Sequence, residues 1–252
     1  MKLHILALSL FSLSPLVVSG SAQAKPWGKC PAAIRELSDR ADRITRGESS
    51  TGVMSMKVFK RGTVSMRMEY WSKGRDKFLA KIMRPSRLRG MSTLKSGQNL
   101  WNYLPRMDRI VKLGSSMMGG SWMGSHFTND DLVKETDVRK HYTCESVRKE
   151  GDAVIVVTRP RPNAPVVWGK LETKIVEKTA MPVWVRFYDE RGTLKRTMRY
   201  EDVKEVGGRM MPTKMILQPA DAPSERTIVT FHRTRFDIPM ADSLFTLRGL
   251  KR

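Results

Sequence analysis

GVMSMKVFKRGTVSMRMEYW, residues 52–71, decides the fold. From Gly52 the apolar residues recur at every second position. Met54, Met56 and Val58 alternate with Ser55, Lys57 and Phe59; beyond Gly62, Val64, Met66, Met68 and Tyr70 alternate with Ser65, Arg67, Glu69 and Trp71. A period of two is what a half-buried strand requires, and a glycine between two such runs marks a turn. The stretch predicts a long antiparallel hairpin with one apolar face and one mostly polar face.

Working outward, similar runs follow at Lys77–Arg84, Gly90–Lys95, Asn99–Leu104 and Arg109–Leu113. After a break come Asp137–Lys149, Asp152–Arg159, Leu171–Lys178, Val183–Tyr188, Thr193–Val206, Met210–Gln218 and Arg226–Phe236. Lys73-Gly74, Ser96-Gly97, Glu150-Gly151, Arg191-Gly192 and Gly207-Gly208 are turn signals between them. Roughly a dozen strands joined as hairpins make a meander that closes or nearly closes into a barrel. Strands do not alternate with helices, which excludes a doubly wound parallel sheet. The one sizeable helix predicted lies upstream, over Pro31–Gly47. Ile34, Leu37, Ala41 and Ile44 form its apolar stripe, Pro31 suits its first turn and Gly47 its stop.

The break itself, GSSMMGGSWMGSHFTNDDLVK at 114–134, holds four glycines and three methionines. Thr128 and Asp131 have the spacing of a capping box that would open a short helix at Asn129. A long apolar connection inside a compact domain is read here as a mobile flap or plug, with Met117, Met118, Trp122, Met123 and Phe127 as its gate residues. An ordinary glycine-rich connection with a few buried anchors is the plainer alternative.

The N-terminus sets the compartment. Met1-Lys2 precedes an apolar stretch from Leu3 to Val18, and Ala22-Gln23-Ala24 offers a peptidase small residues, so cleavage is expected after Ala24. The run is shorter than the roughly 20 residues a bilayer span needs, and Pro15 interrupts it. Residues 1–24 are therefore read as a signal peptide and 25–252 as one exported domain. Outside the cytoplasm, Cys30 and Cys144 read as a disulfide rather than a metal site or a nucleophile. The formal net charge is +21. In an exported chain without base-stacking motifs this points away from nucleic acid. It points to anionic lipid headgroups or an acidic protein face, or simply to a well-solvated basic surface.

Catalysis finds little support. His126, His141 and His232 are scattered without metal-ligand spacing. Neither a G-x-S-x-G elbow nor a phosphate-binding G-x-x-x-x-G-K-[ST] loop is present. No catalytic residue, metal or cofactor is assigned. Binding is better supported, because the chain has 17 methionines. Methionine is flexible and polarizable and is over-used on surfaces that accept variable apolar partners. Its clustering on one hairpin face favours a cavity for hydrocarbon. The predicted lining is Met54, Met56, Val58, Met66, Met68 and Tyr70 with Phe78, Ile82, Leu100 and Trp101. Burying ten methylenes at about 0.8 kcal/mol each gives about 8 kcal/mol before ordering costs, enough for micromolar binding.

The run NLWNYLPRMDRIVKL with SSMMGGSWMGSHFTNDDLVKE, spanning Asn99–Glu135, and the ending SLFTLRGLKR together resemble the outer-membrane lipoprotein-sorting (LolA-like) family of periplasmic proteins. The resemblance implies a mainly β fold: an incomplete, unclosed antiparallel β-barrel of about 11 strands, with an N-terminal helix and short helices packed on the concave side (LolA/LolB-like). It implies a non-enzymatic periplasmic carrier. Such a carrier would hold the acyl chains of a lipoprotein or other lipid and pass them from an inner-membrane transporter to an outer-membrane acceptor. Two other readings stay open: a cargo-free accessory protein docked on a multidrug-type (RND/MMPL) lipid exporter, and an exported hydrolase.

Overall fold

Strands β1 (Ser49–Phe59) and β2 (Thr63–Lys73) pair antiparallel in the register that the alternation demands, Met54 opposite Met68, Met56 opposite Met66 and Val58 opposite Val64. Residues opposite one another in antiparallel strands share a face, so the four methionines lie side by side. The computed structural model describes residues 27–134 and 138–251. The expected signal segment, its cleavage point and Asp137 lie outside the described residues.

Eleven further strands extend the hairpin on both sides. β3 (Lys77–Arg84), β4 (Ser92–Ser96), β5 (Asn99–Leu104) and β6 (Arg109–Lys112) continue past β2. β7 (Tyr142–Glu150), β8 (Ala153–Pro160), β9 (Lys170–Val176), β10 (Pro182–Tyr188), β11 (Leu194–Val206), β12 (Arg209–Pro219) and β13 (Arg226–Phe236) run back from the far side until β13 pairs with β1. The order is β6-β5-β4-β3-β2-β1-β13-β12-β11-β10-β9-β8-β7, one antiparallel sheet of 13 strands rather than about 11. β6 and β7 are its two free edges, so the barrel is unclosed. Gly52 sits beside the β1–β13 bulge, where a Cβ would overlap the Arg233 carbonyl, so only glycine lets the two halves of the sheet meet there.

Helix α1 (Ala32–Arg46) crosses the inner face. Pro31 occupies its N-cap, and Gly47 at φ 64° closes it with an N–H bond to the Arg43 carbonyl. Leu37 and Ala41 bury against Val154, Val156 and Ile175 of β8 and β9. The segment before the helix is fixed twice. Trp27 Nε1–H donates to the Tyr142 carbonyl at 3.1 Å, and a disulfide joins Cys30 to Cys144 across 114 residues. Replacing either cysteine by serine is expected to cost about 2–4 kcal/mol and to lower Tm by roughly 5–15 °C, read by calorimetry with and without reductant. An unchanged Tm would show that the bond carries no stability.

The expected strand from Asp137 starts late. Val138–His141 form a short helix, α3, and extended structure begins at Tyr142. Arg139 turns toward α1, where its guanidinium binds Asp39 at 2.7 Å, and that pull competes with the sheet. The C-terminal helix α4 (Leu247–Lys251) and the turn before it cover the outer face, where Phe245 and Leu250 bury against Leu79 and Leu94.

Candidate ligand cavity

The register lines up one inner-face row across most of the sheet, from Val156 through Thr173, Val185, Met198 and Leu217 to Thr227. The neighbouring row runs through Tyr200, Met215, Val229 and Met56 to Met66. Between this surface and α1 lies a cavity of about 390 Å3, lined in its apolar part by Val156, Ile175, Val185, Met198, Met215 and Phe231 among others. That volume falls within the roughly 300–1,000 Å3 of small-molecule pockets. Ala41 and Thr45 on α1 form its roof.

Residues 115–134 lead from the β6 edge across this inner face. Ser121 and Thr128 pair in a short bridge, and Trp122 N–H binds the Phe127 carbonyl at 2.7 Å. The capping box forms in both directions: Thr128 N–H donates to Asp131 Oδ2 at 2.7 Å, and Asp131 N–H donates to Thr128 Oγ1 at 3.2 Å. It opens helix α2 (Asn129–Lys134). Trp122 is buried edge-on to Phe78, and its indole N–H donates to Thr93 Oγ1 at 3.1 Å. Phe127 packs against both halves of the sheet, touching the methionine cluster on one side and the Tyr142, Leu171 and Phe187 cluster on the other. Met123 holds φ at 50°, a left-handed conformation that costs a non-glycine residue about 1–2 kcal/mol.

Polar anchors fix this plug. Arg196 of β11 binds Asp131 through both guanidinium Nη atoms, each at 2.7 Å, and its guanidinium lies over the Phe187 and Trp168 rings at 4.3 and 4.4 Å. Both partners of the pair are buried, at 7% and 3% side-chain exposure. His126 bonds Thr227 Oγ1 at 2.8 Å through Nδ1 and Glu225 at 3.0 Å through Nε2. Tyr70 bonds Thr234 Oγ1 at 2.9 Å, and burial pushes its hydroxyl pKa up to about 12, so it stays protonated across the physiological range.

Of the predicted lining, Met54, Tyr70 and Phe78 border the cavity, and so do Trp122 and Phe127 from the predicted gate. Met56, Val58, Met66, Met68 and Ile82 face the same side but pack solidly under Trp122 and Met123. They form the floor that the plug covers. Leu100 also faces inward, buried with Leu113 and Val133 beside Met118. Trp101 is a correction: it packs on the outer face with Phe245 and Leu250. Adjacent residues of a strand point to opposite faces, so Leu100 and Trp101 cannot share a lining. Met117 is also a correction, because it stands exposed at 47% and does not border the cavity. The alternation over β9 to β13 carried the signal for the lining that sequence reasoning missed.

Solved structures share this open antiparallel fold. The LolA superfamily protein from Nitrosomonas europaea matches at TM-score 0.70 and 20% identity, over 85% of this chain and 98% of that one. A domain assigned to outer-membrane lipoprotein sorting, from Vibrio parahaemolyticus, matches at TM-score 0.74 and 21% identity, over 87% and 97%. A DUF1329 family protein from Desulfovibrio piger gives 0.74 and 19%, over 85% and 96%. Residues 74–252 match one family model, described as that of an uncharacterized protein, and the chain belongs to that family. No curated protein matches the sequence significantly.

Proposed function

We propose that this chain is a non-enzymatic periplasmic carrier that takes up the acyl chains of a lipoprotein or other lipid and ferries them toward the outer membrane. The observation that carries the reading is the apolar cavity of about 390 Å3 beneath α1, in a fold shared with lipoprotein-sorting structures. The apolar part of the cavity offers a hydrocarbon chain a surface of Val, Ile, Met and Phe, which is what transfer of an acyl chain from water needs. The plug supports release as well as uptake. Trp122 and Met123 cover a methionine floor that would otherwise hold cargo, so plug and cargo compete for it. The export signal read at 1–24 supports the periplasmic location, with 25–252 as a single carrier domain. An inner-membrane transporter would donate the cargo and an outer-membrane acceptor would receive it. The basic surface would favour approach to anionic membranes.

The test is titration of the delipidated protein with a fluorescent fatty-acyl probe. Saturation near one site, at micromolar concentration or below, is expected. A folded protein that takes up no probe would refute carriage and favour the accessory role on an exporter.

A further inference from the structure

At one end of the apolar cavity lies a second, polar pocket of about 290 Å3, walled by four arginines, Arg43, Arg46, Arg75 and Arg139. The two spaces adjoin, since Asp39, Asp42, Arg46, Arg75 and Arg139 border both. Three carboxylates, Asp39, Asp42 and Glu48, share the polar pocket. Two of them are already divided among the guanidiniums. Asp42 serves Arg46 at 2.9 Å and Arg75 at 2.8 Å, and Asp39 serves Arg139 at 2.7 Å. Arg43 has no acidic partner among the described residues. The Nε of Arg46 is buried without a hydrogen-bond acceptor there. Four guanidiniums thus face three carboxylates, an excess of positive charge beside a hydrocarbon-sized hollow. Guanidinium groups match phosphate oxygens in geometry and charge, often in bidentate pairs.

We propose that the cargo is an acyl lipid whose headgroup carries a phosphate, with its chains in the cavity and the phosphate among Arg43, Arg46, Arg75 and Arg139. This rests on the carrier reading and narrows its substrate class. A lone anion would find the arginines but has no use for the cavity. A neutral lipid would fill the cavity and bring no anion to the arginines. An anionic amphiphile satisfies both spaces at once.

The experiment displaces the fatty-acyl probe from delipidated protein with two competitors of equal chain length, lysophosphatidic acid and monoacylglycerol. Lysophosphatidic acid is expected to act at about tenfold lower concentration. The double variant Arg43→Gln, Arg75→Gln should bring the ratio close to one while monoacylglycerol still competes. Asp42→Asn removes the carboxylate that competes for Arg46 and Arg75, and should raise the ratio. That opposite sign decides the matter even if the arginine variants fold poorly. Equal potency of the two lipids on wild-type protein, or an unmoved ratio in Asp42→Asn, overturns the headgroup assignment and leaves the carrier reading standing. Failure of the probe itself to bind overturns the carrier reading. Inorganic phosphate that saturates lipid-free protein at micromolar concentration would assign the pocket to free phosphate and likewise overturn the proposal.

Discussion

Glutamate in place of Met198 or Met215 is expected to weaken acyl-probe binding about a hundredfold, some 2.7 kcal/mol, while the chain stays folded. Both side chains are half-buried at the edge of core clusters and border the hollow. A carboxylate there faces a space that can admit water in the absence of lipid, so the free protein tolerates it. When an acyl chain enters, that water must leave and the charge loses its solvation. Met198→Leu keeps the apolar surface and should bind like wild type. The contrast is Met68→Glu. Met68 is fully buried, packed among Met54, Met66 and Ile82, so a charge there is expected to unfold the protein and says nothing about cargo. Binding by Met198→Glu at wild-type strength would move the cargo site elsewhere.

Arg196→Met is expected to cost about 3–5 kcal/mol, because it removes the guanidinium that faces the Asp131 carboxylate in a buried site. Methionine keeps much of the packing on Phe187 and Trp168, so the loss reports the ion pair rather than a void. Adding Asp131→Asn should recover most of it, since the amide oxygen can still accept the Thr128 N–H that opens α2. The damage should be local. Hydrogen exchange at 115–134 is expected to accelerate in the single variant while the sheet stays protected, because the pair links the plug to β11. Uptake of acyl probe should quicken with it. Unchanged exchange across 115–134 would mean that the pair does not hold the plug.

The hairpin at 52–71 and the capping box at Thr128 were legible because both are local. Side-chain alternation and a three-residue spacing follow from backbone geometry alone, and the register of β1 on β2 realises them residue by residue. The position of the cavity was not legible, because it depends on which face of β8 to β13 turns toward α1. Strand β8 shows the difficulty: Ala153 to Thr158 are all buried, so alternation does not distinguish its faces. Trp101 and Leu100 are equally apolar, and only the C-terminal turn packed outside the sheet separates their roles. The methionine floor was read as lining because its pattern is that of an inner face. Nothing in residues 52–71 reveals that Trp122, some fifty residues on, lies over it. The polar pocket joins Arg43 and Arg46 of α1 to Arg75 in a hairpin turn and Arg139 in α3, positions that no spacing rule connects.

The most direct test of the cavity is native mass spectrometry of the chain, purified without detergent from cells that produce it. A bound mass that leaves on gentle activation, fragments as an acyl lipid, and is absent from Met198→Glu is the result expected. A bare chain that stays bare after incubation with acyl lipid would contradict the account.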